Sequence, residues 1–327
     1  MDVWFLGPDG LTEHGVDDAA ALLARADGFM WVDIPELTAD AEEFLKRELR
    51  IHPLALRACT ERNFVPTVHR YDENVLVVLH TPLAGEGGHV HLLELDQLIS
   101  ERYLVTVHGP RNPVVPLREA TAETNRVRAR IAEGRFRPRT PTELSHAVVS
   151  SVARRQNAAV RDVANRLPAL ELRVMSSNFH KPEELLDELF LLRHELLIAR
   201  TMAAQSYDIY ARLASLDRTT SEEAHGYAVD LREQFERARN VADGESQFLF
   251  GVIELYQTRV TTKMTVAMER LAVIAAITLP VTALASVYGM NVIVNNRTHV
   301  PQLLIVLVVM VGISGWLLTW TRRQGWW

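Results

Sequence analysis

Residues 271–291 read LAVIAAITLPVTALASVYGMN, and residues 302–321 read QLLIVLVVMVGISGWLLTWT. Positions 271–290 and 302–321 are two runs of twenty uncharged residues, and at ~1.5 Å per residue each spans ~30 Å, the thickness of bilayer hydrocarbon. A helical hairpin buried in a large soluble core is the other use for such runs. Two of them separated by only eleven residues favour a transmembrane hairpin. Working outward, of the 35 Lys and Arg and the 41 Asp and Glu only Arg297, Arg322 and Arg323 lie beyond Arg270. Arg270 stands directly before the first run and Arg322 and Arg323 directly after the second, while the loop 291–301 carries only Arg297 and His299. That asymmetry predicts a multi-pass protein of the cell (inner) membrane with both termini cytoplasmic. Trp326 and Trp327, just past the arginines, suit an anchor at headgroup level among membrane lipids.

The charged remainder predicts a soluble body. A net charge of −6 over 327 residues argues against a nucleic-acid binder, which needs a basic surface to meet phosphate. The single cysteine, Cys59, excludes an intramolecular disulfide and fits a reducing compartment, most simply as a small buried apolar residue. The start of the chain has neither a basic segment nor an apolar run of signal-peptide length, so the body is expected to stay in the cytoplasm. No phosphate-binding glycine loop, nucleophile elbow or His-Glu-x-x-His string occurs, and no residue pattern supports an enzyme.

Within residues 1–141 the β-rich runs 29–34, 74–79, 97–99 and 103–107 predict strands, and 38–49 and 115–132 have helical spacing, giving an α+β (or α/β) first domain. Arginines 135, 137 and 139 with Pro138 and Pro141 read as a linker. Residues 142–220 are expected to form a helical bundle or hairpin. From Pro182 to Pro280 there are 97 residues without proline. Leu185, Leu189, Leu192, Leu196, Ala199, Ala203, Tyr207, Tyr210 and Leu213 recur at steps of three and four, the stripe of a coiled-coil-like helix. After a polar break at 217–223, Leu231, Phe235, Ala238, Ala242, Phe248, Val252 and Leu255 form a second stripe. This stalk helix is expected over 221–290, ~105 Å at ~1.5 Å per residue, with 271–290 in the membrane. Such a helix must pack against neighbours, most economically copies of itself, which predicts a symmetric homo-oligomer. An external loop at 291–301, a second membrane helix at 302–321 and a basic tail at 322–327 complete the expected organisation.

At the outer end of the first membrane run stands Tyr288-Gly289-Met290-Asn291. With this placement and the long proline-free stretch before it, the chain resembles the CorA family of magnesium and related divalent-cation transporters, whose mark is Gly-Met-Asn at this place. Leu279-Pro280, Met268-Glu269-Arg270-Leu271, Trp31-Val32-Asp33-Ile34, the run 51–56 and the stretch 63–79 extend the resemblance over nearly the whole chain. It implies a funnel-shaped homopentamer and a pore lined by the first membrane helix, with Gly289, Met290 and Asn291 as selectivity filter and Thr265, Leu271 and Leu279 along the wall. The transported ion implied is Mg2+, with Co2+ or Ni2+ as companions and a regulatory role for the same ion in the cytosol. Asp230 falls where the family binds regulatory Mg2+ between protomers, and Glu86 is the carboxylate available to face it. An exposed helix-surface acid is the other reading of Asp230.

The chemistry of the motif stands beside the resemblance. Mg2+ dehydrates reluctantly, so a ring of neutral Asn291 carboxamides would accept hydrogen bonds from ion-bound water without the deep well of a carboxylate ring. Gly289 permits close backbone approach and Met290 packs adaptably. Taken alone, Gly-Met-Asn also fits a helix C-cap. Two positions depart from the family. Thr265 stands where an asparagine often lines the inner pore, and the loop from Val292 to Arg297 lacks the usual Met-Pro-Glu, so Arg297 would oppose cation attraction. The zinc-transporting branch also lacks that acid, which keeps Zn2+ transport, with or without coupling to protons, as the alternative. A non-conducting membrane-tethered scaffold or sensor is the reading of a different class. His89 and His91 could share a strand face as metal ligands or simply face solvent.

Overall fold

The computed structural model describes residues 1–71, 73–176, 182–216, 222–289 and 300–323. They fall into two compact units, Met1–Val252 and Ile253–Trp327.

The first unit is built on a seven-stranded sheet of β1 (Asp2–Gly7), β2 (Gly10–His14), β3 (Phe29–Ile34), β4 (Thr67–Arg70), β5 (Val75–Ala84), β6 (Val90–Ile99) and β7 (Tyr103–Val107) in the order β2-β1-β3-β7-β6-β5-β4. Only β3 and β7 pair in parallel; the other neighbours are antiparallel. The tight β1–β2 connection needs Gly10 at φ 100°, a conformation that costs any other residue.

Both faces of the sheet are covered, so the central strands are apolar on both sides. Phe29 and Trp31 of β3 enter one core while Met30, Val32 and Ile34 enter the other. The second core is closed by α1 (Ala19–Ala24), α2 (Ala39–Arg47) and α3 (Pro53–Thr60). Thr38 starts α2 by accepting a bond from Ala41 N at 3.3 Å, with Asp40 and Glu42 in the first turn and Lys46 and Arg47 in the last, charges that match the helix dipole. The first core is closed by α5 (Ala122–Ala132), α6 (Pro141–Met175), α7 (Pro182–Leu216) and the first part of α8 (Glu222–Gly289). Thr140 caps α6 through Glu143 N at 3.1 Å, and Pro141 occupies the position where no N–H is needed.

The strands at 29–34 and 103–107 stand where expected, and the runs at 74–79, except Asn74, and at 97–99 are parts of longer strands. The expected helix at 115–132 is two pieces, α4 (Leu117–Ala120) and α5. They break at Thr121, whose φ −96° and ψ 13° leave the helical range while its hydroxyl bonds Leu117 O. In α7 the stripe from Leu185 to Ala203 is buried, as is Tyr210. In α8 the stripe departs from expectation at two places, one of them Leu255, which is half-buried while Tyr256 is buried. Phe248 is 41% exposed and Leu249 is buried, because seven residues after Ala242, two helical turns, is 249.

The second unit comprises α8 from residue 253 onward and α9 (Val300–Arg323). Val281 faces Leu307, Met310, Val311, Ser314, Gly315 and Leu318 across an apolar groove of about 420 Å3. Both helices contain stretches long and apolar enough to cross a membrane. Met268, Leu271, Leu279, Leu304, Val308 and Val311 all stand open, an apolar surface far beyond what water tolerates on one chain.

Candidate ion pathway and regulatory acid

The pathway candidates lie on α8. At ~100° per residue, Thr265 and Leu279 fall within about 40° of each other, and each is about 160° from Val281, which faces α9. Leu271 lies about 120° from Thr265, toward the flank. Thr265 is exposed and Leu271 and Leu279 are 66% and 67% exposed. The structure thus groups Thr265 with Leu279 on one open face and sets Leu271 beside it. Gly289 is the last residue of α8. Met290, Asn291 and Arg297 lie outside the described residues, as do Trp326 and Trp327.

The hydroxyls of this face have a defined polarity. Thr265 Oγ1 donates its one proton to Thr261 O at 3.0 Å, and Thr262 Oγ1 does the same to Thr258 O at 2.8 Å. What remains on Thr265 is an oxygen with acceptor capacity only, the form that can receive a hydrogen bond from a cation's water. Pro280 adds a group that the sequence reading passed over. It lies inside α8 and has no N–H to give to the Ala276 carbonyl, and Ala276 is about 20° from Thr265 on the helix. The signal was the proline itself, set in the middle of an uncharged run.

Asp230 belongs to the part of α8 in the first unit. His146 Nε2 of α6 donates to its Oδ2 at 2.7 Å, and Gln234 Nε2 donates to the same oxygen at 2.7 Å. Gln234 also reaches Ser150 Oγ at 3.1 Å, and the His146 ring lies 4.7 Å from that of Tyr227. Partial burial pushes the Asp230 carboxyl up, but the hydrogen bonds from His146 and Gln234 outweigh it and hold the group below the usual carboxylate range. His146 was not among the expected site residues, because a partner 84 residues away on another helix leaves no mark in local sequence.

Glu86 sits exposed in the turn between β5 and β6, where its carbonyl accepts from His89 N at 3.1 Å. The His89 and His91 rings are 4.7 Å apart and nearly perpendicular. Among the described residues no group of three His, Cys, Asp or Glu is placed to hold a metal ion. Cys59 is buried, and burial followed by the nearby Asp96 and Glu94 pushes its thiol up, which makes it an unreactive core residue.

Two buried polar clusters tie the first unit together. His108 Nε2 donates to Asp33 Oδ1 at 2.8 Å and Nδ1 to Ala120 O at 2.9 Å. Both ring nitrogens face acceptors, so the ring is an imidazolium. Burial opposes that charge, and Asp33 overcomes it and raises the His108 pKa. On β6, Glu94 accepts from Asn63 N at 3.0 Å and Nδ2 at 2.6 Å. Asp96, two residues on and fully buried, has no hydrogen-bond partner on either oxygen among the described residues. Burial first, and then Glu94, pushes the Asp96 carboxyl well up.

The chain matches the family of the CorA-like Mg2+ transporter protein over residues 26–323. It is 26% identical over 303 residues to YfjQ of Bacillus subtilis (strain 168), named as a candidate metal ion transporter, covering 90% of this chain and 89% of that one. Its fold is similar to that of the CorA magnesium transporter of Methanocaldococcus jannaschii, with a TM-score of 0.80 at 17% identity over 100% of this chain and 99% of the other. It is also similar to the ZntB cytoplasmic domain of Vibrio parahaemolyticus RIMD 2210633, with a TM-score of 0.61 at 11% identity, 81% and 98% covered. At 17% and 11% identity these likenesses are of fold alone and do not choose the ion. With a match that takes in all but the first 25 and last four residues, the chain belongs to the CorA-like family of divalent metal ion transporters.

Proposed function

We propose that the chain assembles as a homopentamer in the cell membrane, termini in the cytoplasm, and conducts hydrated Mg2+. The pore in this reading runs along the α8 face that carries Thr265 and Leu279 and ends at Gly289, Met290 and Asn291. The observation that carries it is Thr265, whose hydroxyl is spent as a donor on Thr261 O and so offers only acceptor lone pairs on the side of α8 away from α9. A fully hydrated dication presents only donors outward. A neutral acceptor ring holds it weakly enough to let it leave, whereas a carboxylate ring would trap it. The open apolar surface of the second unit supports assembly, since neighbouring helices and lipid would cover it.

Influx of Mg2+ into proteoliposomes, followed with an internal indicator, tests this reading. Saturable influx blocked by an inert hexaammine cation, which mimics a hydrated ion, is expected. Influx of Zn2+ that follows a pH gradient, without Mg2+ influx, would move the function to the zinc alternative, which Arg297 in place of an acid favours. No flux of any dication would move it to a scaffold or sensor.

A further inference from the structure

The α5–α6 surface is rich in arginine. Residues 124–161 hold nine arginines and two glutamates in a chain whose net charge is −6. Three of these arginines meet on one surface. Arg126 Nη1 donates to Ser151 Oγ of α6 at 2.9 Å. Arg130 stands one turn along α5 from Arg126, and Arg154 one turn along α6 from Ser151, the spacings at which helix side chains are neighbours.

None of the three is paired with a carboxylate among the described residues. Arg126 uses a hydroxyl, and the Arg130 guanidinium lies over the Phe136 ring, 5.1 Å from its centroid. The nearby acids are engaged elsewhere: Arg155 takes Glu123 at 3.1 Å and Glu119 at 3.5 Å. The crowding has an electrostatic consequence. Partial desolvation, then the positive charges of Arg130 and Arg126, hold the Arg154 guanidinium below its ordinary value. Three like charges on one surface repel one another, and a bound anion would relieve that repulsion.

We infer that Arg126, Arg130 and Arg154 form a binding site for a small phosphate-bearing anion. Guanidinium forks match phosphate oxygens bidentately, and Ser151 and Phe136 hold two of the forks in place with neutral contacts that leave their charge uncompensated. Neighbouring positions one turn apart lie ~5–6 Å from each other at Cβ, a span for adjoining phosphoryl groups rather than a single carboxylate. The inference does not depend on the chain conducting ions, because the site lies wholly within the first unit and is read out by binding.

The test is calorimetric titration of the full-length protein in phosphatidylcholine nanodiscs with inorganic pyrophosphate and tripolyphosphate, at constant ionic strength and with dications removed. Saturable binding near one per chain is expected, weakened at least ~10-fold, about 1.4 kcal/mol, in Arg154→Gln and in Arg126→Gln with Arg130→Gln. Arg57→Gln, an exposed arginine of α3, should bind as wild type does, and Arg154→Lys should bind between the two. No saturable heat, or equal affinity in the Gln variants, would overturn the inference. Two further outcomes would also overturn it: an effect of the arginines only in nanodiscs containing phosphatidylglycerol, which assigns the patch to lipid headgroups, and loss of oligomer mass in the Gln variants without pyrophosphate binding in the wild type, which makes it a contact between chains.

Discussion

His146 Nε2 donates to Asp230 Oδ2 across 2.7 Å, so the acid that the family resemblance assigns to a regulatory cation is already held within its own chain. Gln234 meets the same oxygen. A cation between protomers would have to use the other oxygen or displace His146, and it can shift an equilibrium only by binding one state more tightly than the other.

If Asp230 takes a regulatory cation, His146→Ala should lower the Mg2+ concentration that half-protects the protein from limited proteolysis, by a few-fold, and Asp230→Ala should abolish the protection. The range follows from a single hydrogen bond to a charged group, worth about 1.5–3 kcal/mol less the cost of exposure. Equal protection in both variants and the wild type would reduce Asp230 to a local anchor of α8 on α6.

Thr265→Val keeps the shape of the side chain and removes the acceptor. Mg2+ influx should fall about tenfold, corresponding to about 1.4 kcal/mol at the barrier, while Thr265→Ser and Thr265→Asn, which keep an acceptor, should stay near wild type. Equal flux in Thr265→Val would place the conducting face elsewhere on α8.

Asp96 gives a prediction about pH. Its folded pKa is raised by burial and by Glu94, and that of His108 is raised by Asp33 against its burial. A raised group contributes stability that is present in full below its unfolded pKa, about 3.9 for Asp and 6.5 for His, and lost as pH rises through the folded value. Wild type should therefore lose thermal stability as pH rises from the unfolded value of Asp96, about 3.9, through its raised folded value, by up to about 1.4 kcal/mol per pH unit from Asp96 alone. Asp96→Asn should flatten the profile and melt higher than wild type at alkaline pH. Parallel melting profiles of the two proteins would mean that Asp96 is ionised in the fold.

Arg297 concerns the expected outer loop. Five copies around one mouth would repel cations over about a Debye length, ~8 Å at physiological ionic strength. Arg297→Glu should raise influx at low external Mg2+, most at low salt, and unchanged influx at every ionic strength would turn the side chain away from the mouth.

Much of the fold was legible because length and period are strong signals. The two uncharged runs have few uses other than membrane helices, and the six residues of β3, five of them apolar, are buried on both faces. The β1–β2 hairpin went unread, because no residue of β2 is buried and that strand lacks the apolar alternation on which strand reading rests. The part of β6 before residue 97 was hidden by Glu94 and Asp96: buried acids invert the apolar pattern on which strand reading rests. Phe248 drew the stripe of α8 off by one residue since its size outweighed the period. At the site, the type and place of Thr265 were legible, whereas the direction of its hydroxyl was not. The His146 contact to Asp230 depends on α6 lying against α8, a tertiary fact with no local trace.

In the proposed pore a ring of Asn291 carboxamides passes hydrated Mg2+. The most direct measurement is Mg2+ influx into proteoliposomes for wild type and Asn291→Ala at equal protein content, with the oligomer checked by mass in detergent. Asn291→Ala should assemble as wild type does and lose at least ~100-fold in influx, about 2.7 kcal/mol. Wild-type influx in an intact Asn291→Ala oligomer would contradict the claim and leave Gly289-Met290-Asn291 as the cap of a helix.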